Sequence, residues 1–74
     1  MIKEHDRVVL TTKESEAGLE PGDVGTVVHV YSGGDAFEVE FVTLTGDPVA
    51  VRTLDRDEVR PVQSRELTHA RGMD

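Results

Sequence analysis

A chain of 74 residues supplies one small core and so reads as a single domain. Its 15 acidic and 8 basic side chains leave a formal net charge of −7, a field that repels phosphate backbones and anionic lipid heads and argues against nucleic acid or a membrane surface as partner. With no cysteine, disulfides and thiolate zinc sites are excluded, and the core must hold by packing, helped if needed by association.

The first residues, Met1 to Arg7, are charged and lack the apolar run of a signal peptide, and no stretch is long enough to span a bilayer, so a cytoplasmic setting is expected. Val8-Val9-Leu10-Thr11-Thr12 is short and β-branched, a strand signal. Lys13 to Asp23 has no sustained period and reads as a loop, with Leu19 expected to tuck over the end of the core. At its end Pro21-Gly22 suits the centre of a type II turn, because proline presets the first φ and glycine accepts the positive second one.

The segment Val24 to Tyr31 is the most β-prone of the chain, and the rest is organised around it. Strict alternation would put Val24, Thr26, Val28 and Val30 on the core side and Gly25, Val27, His29 and Tyr31 outside. After the turn Ser32-Gly33-Gly34-Asp35, Phe37, Val39 and Phe41 alternate with Glu38 and Glu40, which makes the inward face plain. A second turn, Leu44 to Pro48, leads to a strand in which Val49, Val51 and Thr53 are expected inward and Ala50 and Arg52 outward. Asp55-Arg56-Asp57-Glu58 fits one turn of 3₁₀ helix. Val59 to Val62 makes a last short strand, whose Pro61 requires an edge or a strand end.

The apolar faces predict a register as well. Val30 opposite Phe37 and Val28 opposite Val39 set His29 against Glu38; Phe41 opposite Val51 and Val39 opposite Thr53 set Glu40 against Arg52. This order of elements predicts an all-β fold, a small five-stranded SH3-like barrel over residues 1–62 with a 3₁₀ turn before the last strand. Residues 63–74, with Leu67, Ala70 and Met73 as their apolar groups, read as a flexible C-terminal tail with at most one helical turn, disordered or laid on a partner.

The order Asp6-Arg7-Val8-Val9-Leu10, then Pro21-Gly22-Asp23-Val24-Gly25-Thr26-Val27-Val28-His29-Val30-Tyr31, then Phe37-Glu38-Val39-Glu40-Phe41, then Asp57-Glu58-Val59-Arg60-Pro61 resembles the short bacterial proteins grouped as domain-of-unknown-function family 4926. The resemblance spans about residues 2 to 62 and implies a stand-alone small β-barrel with no assigned activity. Gly22-Asp23-Val24-Gly25-Thr26-Val27 alone is similar to the glycine turn of KOW modules and of the SH3-like domain of nitrile hydratase β-subunits. The former likeness implies an RNA or ribosome partner, the latter a subunit-packing role.

Little in the chain points to catalysis. Ser15, Ser32 and Ser64 fall in loops or the tail with no nucleophile elbow, Gly33-Gly34 lacks the lysine and helix of a phosphate cradle, and so small a barrel has little concave volume in which to bury a carboxylate. No catalytic residue, cofactor or metal is therefore assigned, and an enzyme is not expected. His29 with Glu38 and Glu40 offers nitrogen and oxygen donors, but a solvated cross-strand pair explains them as well. Asp55, Asp57 and Glu58 lack the glycine and distal glutamate of an EF-hand.

What remains is a surface. Val27, His29, Tyr31, Glu38, Glu40, Ala50 and Arg52 form the candidate interaction face, an apolar patch with a charged rim that suits an unidentified protein partner or self-association. The leading expectation is a non-enzymatic protein–protein interaction module. A KOW-like RNA or ribosome-associated protein, motivated by the glycine turn and by Arg7, Arg52, Arg56 and Arg60, is the alternative, and a metal-binding accessory protein is third.

Overall fold

The structure, a computed structural model, describes residues 1–73. Among these the chain forms five strands and no α-helix: β1 (Arg7–Leu10), β2 (Val24–Tyr31), β3 (Ala36–Val42), β4 (Pro48–Asp55) and β5 (Val59–Pro61), with one 3₁₀ turn, Arg56–Glu58, between the last two. All neighbours are antiparallel, in the order β4-β3-β2-β1-β5. The all-β class, the strand count and the 3₁₀ turn are as the sequence predicts. The sheet is not closed into a barrel: among the described residues β4 pairs only with β3 and β5 only with β1. Pro61 lies on an edge strand, where its missing N–H costs no ladder bond.

The turns follow their sequences. Glu20 accepts a hydrogen bond from the Asp23 N–H (3.0 Å) across Pro21-Gly22, and Gly22 takes a φ of +98°, as a type II turn demands. Leu19 is buried in the core cluster, held there by a two-bond bridge between its backbone and that of Glu14 (2.9 Å each way). The Glu58 carboxylate accepts from the Asp55 N–H (2.8 Å) and fixes the start of the 3₁₀ turn.

The core comprises Val8, Leu10, Leu19, Val27, Phe37, Val39, Phe41, Leu54 and Val59, with Ile2, Ala17, Val30 and Val49 packed at its margin. Each such side chain contributes about 1.5–3 kcal/mol when fully buried.

Two of the predicted faces are corrected by bulges. In β2, Val27 pairs with Val39 and His29 with Glu38, so Val28 is an extra residue. The inserted residue switches parity within the strand: Gly25 and Val27 face the core before it, Val30 after it, and Val28 stands 43% exposed. Val30 opposite Phe37 and His29 opposite Glu38 match expectation; Val28 opposite Val39 does not. In β4 the predicted register is one residue out. Phe37 faces Leu54, Val39 faces Arg52, Glu40 faces Val51 and Phe41 faces Ala50. Burying Leu54 against Phe37 outweighs burying the smaller, hydroxyl-bearing Thr53, and this decides the register. Val49 is the extra residue between Pro48 and Ala50, and the bulge returns it to the core margin although Val51 points outward.

Candidate functional site

The outer side of β2, β3 and β4 is a grid set by the two ladders. One row runs Thr26, Glu40, Val51; the next runs His29, Glu38, Thr53; a third runs Tyr31, Ala36, Asp55. His29 and Tyr31, two residues apart on one strand, bring their rings edge to face with centroids 4.5 Å apart and planes at 74°. Glu4 approaches the same histidine from the N-terminal segment, its Oε2 3.8 Å from Nδ1. The Thr53 hydroxyl donates to Glu38 Oε1 at 2.5 Å, so the cross-strand partner of Glu38 is this threonine as well as His29.

Four of the residues expected on the interaction face therefore share it: His29, Tyr31, Glu38 and Glu40. Three do not. Val27 is fully buried, its outward placement overturned by the bulge. Ala50 and Arg52 face the core side with Phe41 and Val39, because burial of Leu54 sets the β4 parity. Arg52 escapes burial by reaching along that side to the β1–β2 loop, where its Nε lies 3.6 Å from Glu14 Oε2. Val28 and Val51 take the vacated outer places, with Val51 46% exposed. Alternation alone could not find them; the sequence signals are the doubled valines at 27 and 28 and, in β4, the run Val49-Ala50-Val51 that is apolar at both parities. His29, Glu38 and Glu40 do not form a metal centre, for no group of three or more donor side chains converges among the described residues.

A second feature lies where the tail returns to the body. No strand or helix follows Pro61 among the described residues, and Asp74, the last residue of the predicted tail, lies outside them. Glu66 forks onto Arg60, with 2.9 Å from Nη1 to Oε1 and 2.6 Å from Nη2 to Oε2, and also accepts from the Gln63 N–H. The Arg60 bonds and then the Gln63 N–H hold its carboxyl at about 2, well below the usual carboxylate range. Arg71 forks onto Asp23 (2.9 and 2.5 Å) and donates to the Gly18 carbonyl at 2.9 Å. The Asp23 carboxyl is lowered by that arginine, aided by the Glu20 N–H and opposed by partial burial. Between these two anchors the tail arches beside a cleft of about 470 Å³, whose body wall includes Leu19, Val24, Phe41, Val42, Leu44 and Val49.

No curated protein and no solved structure matches this chain. A family model, described as a domain of unknown function, matches residues 4–61, which takes in all five strands and stops short of the tail. With strand order, turns and core accounted for over that same span, the chain belongs to the DUF4926 family.

Proposed function

We propose that the protein is a non-enzymatic interaction module that binds a protein partner, or a second copy of itself, through the outer face of β2, β3 and β4. The observation that carries this reading is the arrangement of that face. Val28, Tyr31 and Val51 stand exposed among His29, Glu38, Glu40 and Thr53, an apolar centre inside a polar rim. Such a composition suits an interface, because the apolar groups lose water on contact while the rim keeps its solvation. Tyrosine contributes most in this setting, with a large ring and a hydroxyl that stays wet.

The charge arrangement supports a protein partner over RNA. Of the arginines that would make a basic patch, Arg52, Arg56 and Arg60 each lie beside a carboxylate, from Glu14, Asp35 and Glu66 respectively, and the chain as a whole carries −7. No helix among the described residues is long and apolar enough to cross a membrane. A cytoplasmic setting is part of the proposal.

The test is a pair of measurements on the intact chain and on a variant carrying Val28→Asp, Tyr31→Ser and Val51→Asp. Sedimentation equilibrium over a wide concentration range reports self-association, and affinity capture from the native cell reports a heterologous partner. A dimer or a captured protein that the variant loses supports the reading. A chain that stays monomeric, with the same captured proteins before and after substitution, refutes it.

A further inference from the structure

We propose that the cleft between the C-terminal segment and the body is a binding site for a small, uncharged, predominantly apolar molecule, with residues 66–71 serving as a strap over it. The site is separate from the outer face of β2, β3 and β4, and the proposal stands whether or not that face binds a protein.

The cleft has the size of a ligand site. About 470 Å³ lies within the range of small-molecule sites, roughly 300–1,000 Å³. Its floor is apolar. On the body side Leu19, Phe41 and Val49 bring the core cluster and its margin to the cleft floor, and Val24 and Val42 extend it.

Apolar surface beside the cleft is left uncovered. Leu44, at the tip of the β3–β4 turn, is 81% exposed, and Leu67, on the strap, is 93% exposed; both line the cleft. Two leucines so exposed, one on the body and one on the strap, leave apolar surface in water that a molecule seated in the cleft would cover.

Charge selects the class of ligand. Two charged side chains of the wall, Asp23 and Arg71, are spent on each other in a forked pair, so neither is free to neutralise an ionic ligand. Polar atoms for orienting a ligand are nevertheless at hand, from Thr43, Thr45, Thr68 and His69. The strap is tied at both ends by its own side chains, Glu66 to Arg60 and Arg71 to both Asp23 and the Gly18 carbonyl. Side-chain ties of this kind open without breaking any strand pairing, which gives a ligand a way in.

The probe is N-phenyl-1-naphthylamine, an uncharged aromatic amine that emits more strongly out of water, titrated into the intact chain. Saturable binding at one per chain is expected. Leu44→Asp and Leu67→Asp each set a carboxylate at one lip, and both sites are exposed enough for the fold to stand. Each should weaken binding about tenfold or more, since the bound probe would desolvate the new charge. Arg71→Ala removes the bonds to both Asp23 and the Gly18 carbonyl, releases one end of the strap and should weaken binding too. Arg71→Lys keeps a cation and a donor at that end and should bind the probe more tightly than Arg71→Ala does. Absence of saturable binding, or a change below about threefold in either leucine variant, overturns the proposal. Full affinity in Arg71→Ala overturns the role of the strap.

Discussion

Gly25 is the position where the packing can be tested most sharply. Its φ lies outside the left-handed region, so a side chain is not barred there by backbone conformation. What bars it is space. A Cβ built on Gly25 would lie 2.5 Å from Val39 Cγ1, 2.9 Å from Phe41 Cε2 and 3.0 Å from the Glu40 carbonyl oxygen. The first two are fully or nearly fully buried side chains of the core, and the third is backbone on the strand that pairs with β2, so none of the three can swing away into solvent. Gly25→Ala thus forces an overpacked core, at a cost of about 1–3 kcal/mol, and the backbone contact places it near the top of that range. For a domain of this size a loss of about 2–3 kcal/mol lowers Tm by roughly 10–20 °C. Urea titration followed by far-ultraviolet circular dichroism would show the midpoint fall with the slope unchanged. Adding Val39→Ala removes the nearest methyl, so the double variant should be less destabilised than the sum of the two singles, by about 0.5–3 kcal/mol. A Gly25→Ala chain within about 0.5 kcal/mol of the parent, the range of ordinary surface substitutions, would refute the close approach of β2 and β3.

The bulge in β2 predicts that Val27→Asp abolishes folding, since it buries a carboxylate among Val39 and its neighbours, whereas Val28→Asp leaves the circular dichroism spectrum and Tm nearly unchanged. In β4, Leu54→Ala should cost about 2–5 kcal/mol and Thr53→Ala about 1 kcal/mol or less in urea unfolding; the reverse order would restore the register that alternation suggests. Because the folded Glu66 carboxyl lies at about 2 against a usual 4.5, its hold on the tail is complete above about pH 4.5 and is lost as pH falls towards 2. Nuclear magnetic resonance titration of Glu66, with amide exchange at Gln63, should show the two losing their interaction together; a midpoint near 4.5 would contradict the forked pair with Arg60.

Residues with one clear preference were readable in advance. Phe37, Val39 and Phe41 alternate with glutamates and can face only one way, Pro21-Gly22 can make only a few turns, and Leu19 had no apolar company except the core. The misplaced faces arise where two parities compete on nearly equal terms. Val27 and Val28 are identical, so only the ladder to Val39 decides which is buried, and that depends on a bulge with no distinctive residue. In β4 the run Val49-Ala50-Val51 is apolar at both parities; Leu54, just past the alternating stretch, tips the choice. The same local ambiguity moved Val27, Ala50 and Arg52 off the interaction face and brought Val28 and Val51 onto it. The cleft was beyond reach of periodicity altogether, since it rests on pairs such as Asp23 with Arg71, far apart in the chain and matched only by the return of the tail.

An unclosed sheet has two bare borders, and each invites another chain to hydrogen-bond alongside and continue into a fibre. Both borders here carry obstacles to runaway stacking. β5 has three residues and ends in a proline; β4 begins with one, kinks at Val49, and turns the Arg52 cation toward its greasy side. A small protein can in this way leave its sheet open without polymerising, and along β4 an incoming strand would find regular backbone alongside Ala50 to Asp55.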